Sequence, residues 1–340
     1  MKNAFLGLCA LIVLLVSTSA YISSSVFPYK ITNQIHLEGD GSWDYLTVDE
    51  AAQRLYVSHG TQVQVIDLNT DKLVGAIPDT KGVHGIAVAP EFNKGFISCG
   101  RDTSVMVFDL KTLALTGKFK VTGANPDAIL YDAFTKRVFS FNHSGKSITA
   151  IDAATNKILA TIPLSGVVEF AVTDRKGSIF VNIEDKGTIA VIDAKALKVV
   201  NEWPVTPGEE PTGLAFDVKN NRLFSVCSNQ KMVVVDSKTG KVILTLPIGS
   251  GCDGAAFDPS THRIYTSNGE GNMTVIEEKK PNAYAVIETV TTQKGARTIA
   301  LNPKNHRLYL SVAEREAPVG NARPAVKPGT FVVLEVSSEK

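Results

Sequence analysis

Val63-Gln-Val-Ile-Asp67, Val105-Met-Val-Phe-Asp109, Ile148-Thr-Ala-Ile-Asp152, Ile189-Ala-Val-Ile-Asp193, Met232-Val-Val-Val-Asp236, Met273-Thr-Val-Ile-Glu277 and Phe331-Val-Val-Leu-Glu335 are seven versions of one five-residue phrase. Each is short, mostly β-branched or aliphatic, and bounded by polar turn residues, as a buried strand is. The closing acid can accept hydrogen bonds from backbone N–H groups two residues on and so set a turn, as in Asp67-Leu-Asn-Thr-Asp-Lys72 and Asp236-Ser-Lys-Thr-Gly-Lys241. Upstream of each phrase lies a second strand: Leu55–Ser58, Gly95–Ser98, Val138–Phe141, Ile179–Asn182, Leu223–Val226, Ile264–Ser267 and Leu308–Ser311. Before that comes an apolar strand with small residues interleaved, such as Gly85-Ile-Ala-Val88 or Gly213-Leu-Ala-Phe216, and downstream a fourth, such as Ile158–Pro163 or Val242–Pro247.

Positions 44, 84, 127, 169, 212, 253 and 297 are equivalent in the first strands and stand 40 to 44 residues apart. A four-stranded unit repeating at that interval predicts an all-β, seven-bladed β-propeller with four-stranded antiparallel blades. The small residues belong to innermost strands that crowd towards the axis. The seventh unit lacks a fourth strand after its third, and Ile31–Leu37 resembles the other fourth strands. The ring is therefore expected to close through an N-terminal strand that completes the last blade and leaves no free edge. A single domain over 21–340 follows, with blades at about 42–82, 83–125, 126–167, 168–210, 211–252, 253–295 and 296–340 plus strand 31–37.

The stretches Leu55-Tyr-Val-Ser58 through Val65-Ile-Asp67, and Ile264-Tyr-Thr-Ser-Asn268 through Val275-Ile276, resemble the YVTN repeat. Nearly all of the chain after residue 20 is similar to the YVTN-repeat, YncE-like exported bacterial propellers, whose blades are WD40-like. The resemblance implies the fold and export; propellers host many activities, so it implies none in particular.

The first twenty residues agree with export. Lys2, a 13-residue apolar run from Ala4 to Val16, and Ser17-Thr-Ser-Ala20 describe a cleaved signal peptide rather than a membrane anchor of about 20 residues. The expected location is periplasmic or secreted, with no membrane contact after cleavage. Without residues 1–20 the chain carries 34 basic and 34 acidic residues, so no global charge favours nucleic acid or an anionic membrane. Cys99, Cys227 and Cys252 remain. Cys227 and Cys252 fall on neighbouring blades near one face, which makes a disulfide between them an expectation, set against three inert thiols.

Loops before the first strand and between the second and third share one face, here called the top. The equivalent positions Asp44, His84, Asp127, Glu169, Thr212, Asp253 and Arg297 head the inner strands there. Their formal charge sums to −3 with His84 neutral, and nearby loops add Asn142, His143, Asn182, Glu184, Asn268 and others. Asp44, His84, Asp127, Glu169, Asp253, Arg297, Asn142, Asn182 and Asn268 are candidate ligand contacts, with Trp43 beside them either as a contact or as packing. The long loop from Val312 to Thr330, with Arg315, Arg323 and Lys327, is expected to fold over this mouth as a lid. His262 and His306 fall in bottom turns and read as structural, Trp203 reads as packing between blades, and the lysines of that face as solvated.

Two functional classes stay open. One is a binding module, a monomer that takes a small molecule or a protein or peptide at the acidic mouth. In it Arg297 pairs with Asp253 and Asp44 over a water-filled channel. The other is a metal-dependent lactone or ester hydrolase. There Asp44, His84, Asp127 and Glu169 hold Ca²⁺, Mg²⁺, Mn²⁺ or Zn²⁺, and Glu169 or Asp127 is the catalytic base. Gluconolactonase-type propellers are similar in principle, though no stretch here matches them. Attached haem, a phosphate-binding loop and a Gly-x-Ser-x-Gly nucleophile are excluded by the sequence. An acidic mouth does not suit single-stranded nucleic acid.

Overall fold

The computed structural model describes residues 28–317 and 324–338. The expected signal segment, residues 1–20, lies outside them. Second and third strands are buried along nearly their whole length, as in Arg54–His59 and Gln62–Asp67. The period-two alternation of a one-sided sheet is absent because neighbouring blades cover both faces. The fourth strands, such as Lys72–Ile77 and Lys198–Pro204, are largely exposed at the rim.

Among the described residues the chain forms 28 strands in seven antiparallel sheets of four. Six sheets run in chain order from the innermost strand outwards. The seventh is completed by Lys30–His36, paired to Val332–Ser337 in a register that runs from Lys30 opposite Ser337 to His36 opposite Val332. The predicted closure is thus observed. Tyr29 secures it to the sixth blade: its hydroxyl lies 2.7 Å from that of Tyr265, and its backbone N–H donates to Glu288 at 3.0 Å. The seventh inner strand is short, Ala300–Asn302, so Arg297 precedes it rather than heading it.

The turns follow the sequence reading. Asp67 Oδ1 accepts the N–H groups of Asn69 and Thr70 at 2.9 and 3.0 Å, and Asp236 does the same for Lys238 and Thr239. His306 pairs with Asp258 at 2.8 Å and His262 with Glu278 at 3.6 Å, both on the bottom. Trp203 packs on Phe180 and fits the gap left by Gly240 of the next blade, where a Cβ would meet the indole.

The basic residues of the bottom face are not merely solvated. Six of the seven second strands begin on Arg or Lys, and several reach the next blade. Arg54 donates to the Leu110 carbonyl, Lys94 to that of Ala153 at 3.2 Å, Arg137 to that of Ala194, and Arg222 to Asn282 at 2.7 Å. These contacts staple turn to turn around the ring. Among the described residues no helix is long and apolar enough to cross a membrane.

Deleting the chain up to His36 should expose the Val332–Ser337 edge and open the ring. The expected outcome is a broad, non-cooperative melt and aggregation; a sharp melt at the parental temperature would show that the closing strand is dispensable.

Candidate functional site

In each of the first six blades the pairing of first and second strands slips one residue at the top. The slips lie between Trp43 and Leu46, Val83 and Ile86, Pro126 and Ile129, Val168 and Ala171, Pro211 and Leu214, and Cys252 and Gly254. Asp44, His84, Asp127, Glu169, Thr212 and Asp253 each sit inside one of these bulges. A bulge re-aims a side chain and breaks the ladder, which frees backbone groups that need other partners.

Neighbouring blades supply those partners. Ser98 Oγ donates to the Asp127 carbonyl, Asn182 Nδ2 to that of Thr212 at 2.8 Å, and Ser267 Oγ to that of Arg297 at 2.6 Å. The Asp44 carbonyl accepts from Thr298 at 2.8 Å and from Ser311 at 3.3 Å. The serines escaped the sequence reading as anything more than strand residues, although Ser58, Ser98, Ser267 and Ser311 recur at one strand position. Close packing of inner strands adds to this: a Cβ on Gly213 would lie 2.8 Å from the Gly254 Cα.

The ring side chains line a cavity of about 470 Å³ together with Tyr45, His143, Glu184, Gly251 and Cys252. Tyr45 and Phe170, from blades one and four, meet with ring centroids 5.4 Å apart. This aromatic contact joins the two blades across the axis, and Tyr45 also lines the recess, here called the cup.

Three groupings divide the cup. His84 Nδ1 faces Asp44 at 2.6 Å and Asp127 at 3.2 Å. His143 Nε2 pairs with Glu169 at 3.1 Å, and Glu184 completes that group, with ligand atoms within 4.8 Å of one another. Arg297 binds Asp253 and stands 3.7 Å from Asp44. The expected arginine bridge is present. The expected four-residue metal set is not: Glu169 joins His143 and Glu184, while Asp44, His84 and Asp127 form their own cluster within 4.8 Å.

Burial, with the charge of Asp44 behind it, pushes Asp127 up to about 7. Burial likewise pushes Asp253 up to about 6, although Arg297 opposes it. For His84 burial pulls downward, but the hydrogen bond to Asp44 and the nearby acids outweigh it and raise the pKa. The hydrogen bond to Glu169 raises His143, and burial raises Glu184, with Glu169 adding to it. Tyr45 is held well above its ordinary range by burial beneath four carboxylates.

Four expected contacts lie elsewhere. Asn142, Asn182 and Asn268 are fully buried. Asn142 holds Ser147 and Thr149, and Asn268 holds Asn272 and Thr274, each bracing its own hairpin. Trp43 is buried against Phe331, with the Arg315 guanidinium 5.1 Å from its ring. Among the described residues of the 312–330 loop, Arg315 packs over Trp43, and none of them lines the cup. The expected Cys227–Cys252 disulfide is not formed. Both thiols are free and buried in different apolar clusters, Cys227 against the Ser225 carbonyl at 3.8 Å and Cys252 against that of Gly254 at 3.5 Å. Burial pushes the thiols of Cys99 and Cys227 up to about 12, so all three read as inert.

Fold and cup together define a seven-bladed propeller with an acidic recess on one face. Among known proteins it is YncE-like. It is 23% identical over 218 residues to the uncharacterized protein YncE of Salmonella typhimurium, which covers 64% of this chain and 50% of that one. It is 24% identical over 217 residues to antigen Lp49 of Leptospira interrogans, covering 60% of this chain and 48% of that one. The chain spans about half the length of the curated relatives it matches. No protein-family model matches it. Solved structures share the fold: hydrazine synthase of Kuenenia stuttgartiensis at a TM-score of 0.66 and 17% identity, covering 81% of this chain and 94% of that one. The RRP9 WD40 repeats align at 0.76 and 9% identity, covering 92% and 100%. At these identities the likeness is one of fold.

Two outcomes follow. Ser98→Ala should cost about 1–3 kcal/mol in denaturant unfolding, because it strands the buried Asp127 carbonyl and the Gly85 N–H. Asp253 has a folded pKa of about 6 against an ordinary 3.8, so the stability it lends is complete below about pH 4 and lost as pH rises through about 6. Asp253→Asn should thus gain in melting temperature relative to the parent between about pH 4 and 7; a pH-independent difference would contradict the shift.

Proposed function

We propose that this chain is an exported propeller that binds a positively charged ligand in its top-face cup, either an amine-bearing small molecule or a Lys or Arg side chain of a partner protein. One observation carries the reading. Five carboxylates, Asp44, Asp127, Glu169, Glu184 and Asp253, line the cup against a single arginine. In a recess of low dielectric such an excess draws cations and focuses their approach. The ring residues of the cup are braced by neighbouring blades, which suits recognition by a preformed site. The signal-like first twenty residues support export to the periplasm or medium. The edges left at the rim are short strands, and the last blade is completed by the N-terminal strand, which supports a monomer.

A second reading is favoured by the Asp44–His84–Asp127 cluster: a cation-dependent lactone or ester hydrolase at the same cup, with Glu169 as base. The binding reading stands first because Glu169 is engaged by His143.

Calorimetry or melting shifts with a panel of polyamines, aminated sugars and cationic peptides tests both. A ligand should bind at low salt, weaken as salt rises, and lose at least about tenfold in affinity in Asp127→Asn/Glu169→Gln, a 1.4 kcal/mol effect. Undiminished binding in the double variant would move the site away from the cup. Turnover of a lactone or ester, abolished by Glu169→Gln, would favour the second reading.

A further inference from the structure

We infer that Asp44, His84 and Asp127 form a binding site for one divalent transition-metal cation at the side of the cup. The inference rests on reading the cup as a site for positive charge, and it names the cation. His84 Nδ1 lies between two carboxylates, 2.6 Å from Asp44 Oδ2 and 3.2 Å from Asp127 Oδ1. An N–H points along one line, so it serves one acceptor well. Here it serves Asp44. Asp127 is 9% exposed, and its Oδ1 is buried with no hydrogen-bond partner. A buried carboxylate oxygen left without a donor costs free energy. Arg297, the neighbouring cation, is turned to Asp253 and Asp44.

A metal ion resolves this, because it can bond all three groups at once. Donors on a tetrahedral ion with bonds near 2.1 Å stand about 3.4 Å apart. The three atoms already lie within 4.8 Å of one another, so small side-chain shifts suffice. The backbone is braced on the ring: the Asp127 carbonyl by Ser98, and the Asp44 carbonyl by Thr298 and Ser311. One imidazole with two carboxylates suits Mn²⁺ or Zn²⁺ better than Ca²⁺ or Mg²⁺, which prefer oxygen alone. The remaining coordination positions face the open cup.

Chelator-stripped protein titrated with Mn²⁺ and Zn²⁺ tests the site by calorimetry. One equivalent of either ion should bind, more tightly than Ca²⁺ or Mg²⁺. Asp127→Asn and His84→Gln, each checked for a native melt, should weaken binding at least about 100-fold. Glu184→Gln removes the same charge from the same cup without removing a donor, and should weaken it by only a few-fold. Equal losses in Asp127→Asn and Glu184→Gln would mean diffuse attraction and overturn the site, as would the absence of saturable binding. Spermidine titrated into the stripped protein separates the two readings. If spermidine binds and the metals do not, the metal site falls and the acidic cup stands; if neither binds, both fall.

Discussion

A bulge at the head of an inner strand sets carbonyl oxygens loose from the sheet ladder, and in this ring of closely packed blades an adjoining blade supplies donors for them. The hydroxyls of Ser98 and Ser311 and the amide of Asn182 fill that need, and Ser267 does the same for the Arg297 carbonyl ahead of the seventh inner strand. Each link joins two blades and fixes the residue that faces the axis. The cup and the packing of the blades are therefore one hydrogen-bonded network. A buried carbonyl without its donor would cost more than the net gain of an ordinary hydrogen bond, so the network resists partial loosening.

That rigidity lets the protein hold like charges together. Five acids around one small cavity repel one another, and water cannot screen them fully. The structure offsets this with Arg297 beside Asp253 and Asp44, and with imidazoles beside the other carboxylates. Burial is the main cause that raises Asp127 and Asp253, and the neighbouring acids add to it. The Tyr45–Phe170 contact joins opposite blades across the axis beside the recess. A residual negative field over a braced wall suits the capture of a cation.

The opposite face is built on different chemistry. Arginine or lysine at the start of a second strand reaches the carbonyls of the next blade's turn, and Tyr29 ties the closing strand to the sixth blade. Bottom staples and top tethers hold the blades at both ends of the axis, with apolar faces between them. Arginine and lysine thus bind turn to turn on one face, while five carboxylates meet in the cup on the other.

Sequence alone determined the repeat, the blade count, the strand that closes the ring, and the seven positions that meet at the axis. Those follow from period and register, which are local properties of the chain: Val63–Asp67 and its six counterparts mark the strands whatever surrounds them. The tertiary structure decided how the side chains at those positions pair. Glu169 turned to His143 rather than to Asp127, Asn142 and Asn268 turned into their hairpins, Trp43 went under the 312–330 loop, and the two cysteines entered separate cores. Each of these depends on the direction a bulge gives a side chain and on what the next blade offers within about 3 Å. A one-dimensional repeat places residues on a face, but only the closed ring brings blade four to blade one and sets Phe170 against Tyr45.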